Sequence, residues 1–425
     1  MDLAETPAFE AMAAPGQRLS FRLVKGQGEL FAISKMWQDL VESSGNPQPM
    51  NSPAWLLLWL RHYGAGADLA VGLLYDGDQL VGIAPLCLRN YVYKLGLVFR
   101  RLQFLGLDAN ERDGVFSEYM GFTARKGYEL AVARDFVDRI LAGDFGTWHE
   151  LVLGAIDVDN ATMQMAVAAF AARGMPGEQT GTMRGYHIRL PRSWDDYLKS
   201  LSSTRRYRLK NSLAKFEEWT GSEGWILKHA RTPDDLKEGY EALVALHSER
   251  WRVEGGEGGA FSSPRFTAFH WDYLTTQVAS GGAELVWLKV GERPVAAIYT
   301  IRNGKKVLAY QYGRVTDTPT RVRVGIVINA LMIKTAIERG DDEFDFLAGE
   351  SRYKVDLSTH ERPIVTLRVA RSTAREFVRV GLINTRRGIA SMISHGKTLA
   401  RMNRPAEPTE RSPSGAERSR SAAEV

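Results

Sequence analysis

The sequence has one cysteine in 425 residues. Cys87 has no possible intrachain partner, and it sits in a strand-like apolar run where packing is its expected role. Such sparing cysteine use predicts a cytoplasmic protein. Clustered Cys and His at ligand spacing are missing, which predicts no zinc site and no other metal. Neither GxGxxG nor GxxxxGK[ST] occurs, which excludes a dinucleotide fingerprint and a P-loop. A GxSxG elbow is missing too. The longest apolar run is "AWLLLWL", from Ala54 to Leu60, whereas a membrane span needs about 18–20 such residues. The first residues, "MDLAETPAFEAMAAPGQ", carry early acids and no apolar core, unlike a signal peptide.

What is present is an ordinary soluble composition, 44% hydrophobic and 25% charged, on a chain too long for one ordinary core. The net charge of +5 is unevenly placed. Residues 371–425 hold 11 Lys/Arg against 5 Asp/Glu, so the body before them is slightly acidic. A basic tail on a near-neutral body predicts no DNA-binding role for the folded part.

Pattern and punctuation predict alternating strands and helices. Ser52 and Pro53 open "SPAWLLLWLRHYG" as N-cap and first residue of a helix. A helix is also expected over "ELFAISKMWQDLVESSG", closed by Gly45. Asp76-Gly77 between apolar runs marks a hairpin. Helical patterns near 127–141 and 159–172 flank a strand, "HELVLGAI". After Pro191 come two helical patterns, "SWDDYLKSL" and "STRRYRLKNSLAKFEEW", then the strand "WILKHA" and the long helix "PDDLKEGYEALVALHSERW". A glycine-rich segment, "EGGEGGAF", reads as a mobile lid. Three strands follow, with turns at Gly291-Glu292 and Asn303-Gly304, then the helix "GIVINALMIKTAIERG", the strand "EFDFLAG" and a last strand, "PIVTLRVA". The hairpin text "GDQLVGIA" at Gly77 is echoed by "GERPVAAI" at Gly291, which suggests two copies of one α/β unit. The expected divisions are a flexible start (1–20), two units (21–190 and 191–370), a basic helical extension (371–403) and a disordered tail (404–425).

Three stretches carry candidate chemistry. The first is the strand–helix–strand unit ending in "EFDFLAGESRYKVDLS". A helix start presents unpaired amides and a positive dipole end to anions, and here it falls at Val324-Gly325, flanked by Arg321 and Arg323. Glycine at that point lets a ligand approach the backbone. Asp345, between phenylalanines, is either a proton-handling group or a cap on the neighbouring chain. Glu350, Tyr353 and Lys354 follow the strand end, where open α/β sheets hold ligands; a surface turn with an ion pair is the plainer explanation. The second stretch is "LHSERW". His247 and Trp251 share a helix face there beside Arg250, and His247 is the histidine best placed for a general base, although a helical histidine is more often simply packed. The third is the basic helix with Arg205, Arg206, Arg208, Lys210 and Lys215, suited to phosphates or RNA, or simply solvated.

Taken together, "SPAWLLLWLRHYG", "LVGIAPL", "LHSERW", "GERPVAAIY", "GIVINALMIKTAIERG" and "FDFLAGESRYKVDLS", in that order, resemble the BioF2-like acetyltransferases. Members of that family are often labelled CelD/BcsL cellulose-biosynthesis proteins; it lies in the GNAT superfamily and is related to the FemAB aminoacyltransferases. The resemblance runs from about Ser52 to Ala370. It implies an α/β fold of tandem GNAT-like units, each a mixed, mostly antiparallel sheet flanked by helices. It also implies that the helix starting near Gly325 receives the diphosphate of coenzyme A, and that amides near Gln311 and Tyr312 pair with the pantetheine arm.

The expectation is therefore an acyltransferase that takes an acetyl or other acyl group from acyl-CoA to an amine or hydroxyl. His247 or Glu350 would be the base, Tyr353 the acid for the leaving thiolate, and Lys354 a binder of an anionic substrate group. Arg205, Arg208, Arg250 and Trp251 would contact substrate. The acceptor would be a small molecule or a glycan or lipid intermediate of surface polysaccharide, on the resemblance alone. The alternatives are a tRNA-dependent aminoacyltransferase, with the basic helix on RNA, and a non-catalytic assembly protein whose basic C-terminal segment touches the membrane surface.

Overall fold

The computed structural model describes residues 19–93, 96–107, 114–253, 255 and 259–382. Residues 1–371 form one compact unit and 372–425 a second. In the second, residues 374–382 are helical. The rest of the expected basic extension and tail, the first 18 residues and half of the glycine-rich segment (254 and 256–258) lie outside the described residues.

The first half of the large unit begins with strand β1 (Ser20–Val24), followed by helices α1 (Gln27–Ala32), α2 (Ser34–Glu42) and α3 (Pro53–Tyr63). Strands β2 (Asp68–Asp76), β3 (Gln79–Val92), β4 (Val98–Phe104) and the short β5 (Thr123–Ala124) come next. Helix α4 (Glu129–Ala142), strand β6 (Glu150–Asp157), helix α5 (Ala161–Ala172) and strand β7 (Glu178–Arg189) complete this half. The second half opens with α6 (Trp194–Ser200) and α7 (Ser203–Thr220), then repeats the succession. It has β8 (Trp225–His229), α8 (Pro233–Val253), α9 (Pro264–Ser280), β9 (Ala283–Val290), β10 (Arg293–Asn303) and β11 (Lys306–Arg314). The last elements are α10 (Val324–Arg339), β12 (Glu343–Ala348), α11 (Arg352–Leu357) and β13 (His360–Ala370). The duplication expected from the hairpin echo is thus written in the order of elements.

Local chemistry explains the boundaries. Ser52 Oγ accepts the Trp55 amide at the start of α3, with Pro53 in its first turn. Gly77 takes a φ of 59° in the β2–β3 hairpin, and Gly340 closes α10 with a φ of 80°. The single helix expected over residues 29–45 is two. The backbone leaves helical angles at Ile33, and each short piece turns its own apolar residues inward: Leu30 on α1, and Trp37, Leu40 and Val41 on α2.

Among the described residues all thirteen strands join one sheet, in the order β1-β2-β3-β4-β6-β13-β7-β12-β11-β10-β9-β8, with β5 beside β3. Each half contributes four antiparallel strands, β1–β4 or β8–β11, then one parallel pair, β4 with β6 or β11 with β12. The last strands cross: β13 lies against β6, and β7 lies against β12. No helix among the described residues is long and apolar enough to cross a membrane.

Both parallel pairs are short. β4 meets β6 only from Arg101 to Gln103, and β11 meets β12 only from Lys306 to Leu308. Beyond those residues the strands part, so the sheet contains two wedges. The first is filled. Leu105 is fully buried there, Leu107 packs against Gly154, and the Met120 amide donates to the Ala155 carbonyl. The second wedge is open.

Candidate active site

The open wedge is a cavity of about 380 Å³. Ala309, Tyr310, Gln311 and Tyr312 of β11 form one wall, and Phe346 to Gly349 at the end of β12 form the other. A bulge shapes the first wall. The β10–β11 register shifts between Tyr299 and Thr300, and Tyr310 is the extra residue. The second wall turns sharply at Leu347, whose φ is 62°. A side chain held in the left-handed region is strained and needs support from its surroundings. Asp345 gives it: the Leu347 amide donates to Asp345 Oδ1 at 2.7 Å, and the Tyr119 hydroxyl donates to Oδ2 at 2.8 Å.

Asp345 was expected among the proton-handling groups. It lies behind the wall and lines neither cavity of the site. Burial pushes its carboxyl up to about 6, against the pull of the nearby Arg362. Its role is structural, the plainer of the two alternatives, but it caps the turn of its own strand rather than the neighbouring chain.

The cavity contains a carboxylate that sequence reasoning missed. Glu118 is buried, and its Oε2 accepts the Ala348 amide at 2.7 Å. Burial raises its pKa to about 7, while the Ala348 hydrogen bond and the nearby Lys354 ammonium oppose the rise. Glu118 belongs to the irregular segment 114–122 of the first half. That segment is tied down throughout: Trp55 Nε1 donates to Ser117 Oγ, Asn51 Nδ2 to the Tyr119 carbonyl and the Tyr310 hydroxyl to the Phe116 carbonyl. The signal was available in "FSEYMGF", a lone acid among apolar residues, the same pattern that singled out Asp345.

His247 also faces the cavity. Its Nε2 accepts the Trp251 indole N–H at 3.1 Å, and burial pushes its pKa down to about 4. It is neutral at pH 7, and its basic nitrogen is already engaged. Glu350 is exposed at the lip of the cavity. Lys354 Nζ donates to the Ala348 carbonyl at 2.5 Å and to the Leu347 carbonyl at 3.3 Å, so it holds the strand end. Burial also lowers its pKa, which the negative charge of Glu118 partly offsets. The Tyr353 hydroxyl is buried and raised well above its usual range, mainly by burial, and it shares a hydrogen bond with Tyr312.

A second cavity, about 450 Å³, opens at the start of α10. Arg323, Val324 and Gly325 line it, as expected. Arg323 is the N-cap residue and makes no side-chain cap, and Val324 and Gly325, the first residues of the helix, line the cavity. Arg250, Arg314 and Arg352 add positive charge. Arg321 is exposed and lines neither cavity. Arg314, which sequence reasoning missed, has its stem packed over Gly325: a Cβ there would come within 3.0 Å of Arg314 Cδ. The two cavities share Arg250, Tyr312, Ser351 and Tyr353 as a common wall.

Arg205 and Arg208, expected to contact substrate, line neither cavity. The Arg205 guanidinium donates to the carbonyls of Asp356 and Ser358, and Arg208 pairs with the Asp356 carboxylate at 3.2 Å. Both hold α11 in place. Among the described residues no cluster of His, Cys, Asp and Glu is arranged for a metal ion.

Residues 203–355 match a family model described as an acetyltransferase (GNAT) domain. The second half carries a GNAT fold. The matched span takes in the cationic helix start, the open wedge, His247 and Tyr353, but not Glu118. The crystal structure of FemX aligns with a TM-score of 0.53 at 11% identity, over 80% of this chain and 96% of FemX. Two others are more distant. The C-terminal domain of a putative lysylphosphatidylglycerol synthetase from Agrobacterium fabrum gives 0.47 at 11% identity, over 85% of this chain and 96% of its own. A tandem GNAT protein from the clavulanic acid biosynthesis pathway gives 0.42 at 13%, over 84% of this chain and all of its own. No curated protein matches. The second half thus carries the GNAT fold, and the first half repeats its order of elements.

Proposed function

We propose that this protein transfers an acyl group from an acyl-coenzyme A thioester to an amine or hydroxyl, with Glu118 as the general base. The observation that carries the reading is the pair of cavities meeting at Arg250, Tyr312 and Tyr353, one cationic at a helix start and the other holding a buried carboxylate. The donor's diphosphate would lie against the Val324 and Gly325 amides, with Arg250, Arg314 and Arg323 supplying charge. Its pantetheine arm would follow β11 beyond Leu308, where ladder pairing with β12 ends.

The acceptor's N–H or O–H attacks the thioester carbonyl, and Glu118 takes the proton. A base with a pKa near 7 is half ionised at neutral pH, where such catalysis works best. The carbon–sulfur bond then breaks, and the Tyr353 hydroxyl, held neutral by burial, protonates the departing thiolate. Glu118 replaces His247 and Glu350 in the base's role because His247 has its lone pair engaged and Glu350 is exposed. A tRNA-dependent reaction has less support, because Arg205 and Arg208 of the basic helix are engaged by α11. A coenzyme A donor would place the reaction in the cytoplasm, and the BioF2-like resemblance adds surface polysaccharide assembly as a setting.

Calorimetry with acetyl-CoA tests the donor site. Binding is expected for the wild type and not for Gly325→Trp; equal heats from both proteins would reject the site.

A further inference from the structure

Leaving three large apolar side chains in water around one opening is unusual for a protein surface. Phe116 is 52% exposed, Met183 45% and Trp251 38%, and all three line the open wedge. They come from three separate elements, the 114–122 segment, β7 and α8, so the convergence is tertiary. Two of them are held in place. Trp251 is fixed by its hydrogen bond to His247 and by the backbone of Gly259, where a Cβ would come within 2.3 Å of the indole. The Phe116 carbonyl accepts the Tyr310 hydroxyl at 3.2 Å.

The inward polar groups are largely engaged by the protein itself. Lys354 holds two carbonyls, His247 Nε2 holds the Trp251 indole, and Glu118 Oε2 holds the Ala348 amide. A substrate rich in hydroxyls would bury them with few partners, which is unfavourable. An aliphatic or aromatic body would cover the collar and leave one polar head for the Glu118 carboxylate.

We infer that the acceptor is an amphiphile: a primary amine or hydroxyl carried on an apolar body that lies across Phe116, Met183 and Trp251. This rests on the acyl-transfer reading above. The donor approaches the shared wall from the cationic cavity, so the collared mouth on the other side is left to the acceptor. An ammonium head also complements the buried carboxylate in charge.

The probes are butylamine, hexylamine and octylamine, with glucosamine as the polar comparison. Each is measured two ways: by calorimetry without donor, and by thiol release with acetyl-CoA. In the wild type, Kd and KM fall about fourfold for each methylene buried on the collar, and kcat changes little. In Phe116→Ser and Met183→Ser, both surface changes outside the reacting groups, this length dependence flattens. Length-independent Kd, or glucosamine bound as tightly as octylamine, overturns the inference. Length-dependent binding with no thiol released from any amine, or from octanol run as the hydroxyl probe, supports the acceptor class and rejects the acyl-CoA reading. Thiol release that ignores chain length does the reverse.

Discussion

The two wedges start from the same plan and end differently. In the first half, the connection from β4 to α4 is long; it folds back as residues 105–107 and 114–122 and plugs its own wedge. Glu129 stands in the first turn of α4, and its carboxylate accepts the Gly127 amide. An acid there puts negative charge at the helix start, which repels an anion. In the second half the connection from β11 to α10 spans only 315–323, no acid lies in the first turn of α10, and arginines surround it. One copy has its wedge filled, and the plug that fills it carries Glu118 into the other copy's open wedge. The filling of one wedge thus furnishes a side chain to the other.

The strongest test of that division is Glu118→Gln. Steady-state kcat should fall about 10²–10⁴-fold with acetyl-CoA affinity unchanged. Wild-type activity should rise with pH through about 7, as the carboxyl ionises, and the variant should lose that limb. A normal limb in the variant would assign the base elsewhere. The same shift has a stability sign. The folded pKa is raised above the unfolded one, so this group favours folding below about 4.5 and that contribution is lost as pH rises through about 7. Glu118→Gln should therefore gain stability relative to wild type between pH 5 and pH 8, seen by thermal melts.

Next in size is a paired experiment on the wedges themselves. Leu105→Ala in the filled wedge should cost about 2–5 kcal/mol in denaturant unfolding, as a buried leucine does. Ala309→Phe in the open wedge should leave the unfolding midpoint nearly unchanged and block thiol release. If both changes behaved alike, the two wedges would not differ as described. Tyr353→Phe should lower kcat about 10- to 100-fold, with a smaller loss when the acyl donor has a better leaving group. The smallest effect is expected for His247→Asn. Less than a tenfold loss of kcat, with the limb near pH 7 in place, would show that its engaged nitrogen carries no proton.

Much of the second half was legible in the sequence. The run from Lys306 to Ala348 has strong periodicity, Gly325 and Gly340 punctuate α10, and Tyr353 and Lys354 fall where the strand end predicted a pocket. These features are local. Glu118 was not read, because segment 114–122 has no periodicity and its position depends on Asn51, Trp55 and Tyr310, all distant in sequence. Arg205 and Arg208 misled for the converse reason: charge spacing on a helix says which side chains share a face, but not that α11 would lie against it. Asp345 was legible as a buried acid, and only the left-handed turn at Leu347 explained why it is there.

The crossed last strands bear on how the molecule can be handled and how it folds. A scissile bond placed at residue 190, between the two repeats, would strand β7 on one fragment and its partner β12 on the other, and leave β13 severed from β6. Each fragment would expose a raw sheet edge, an invitation to aggregate. Coexpressed fragments should therefore be recovered only as a reassembled pair, and unfolding of the intact unit should be a single cooperative event.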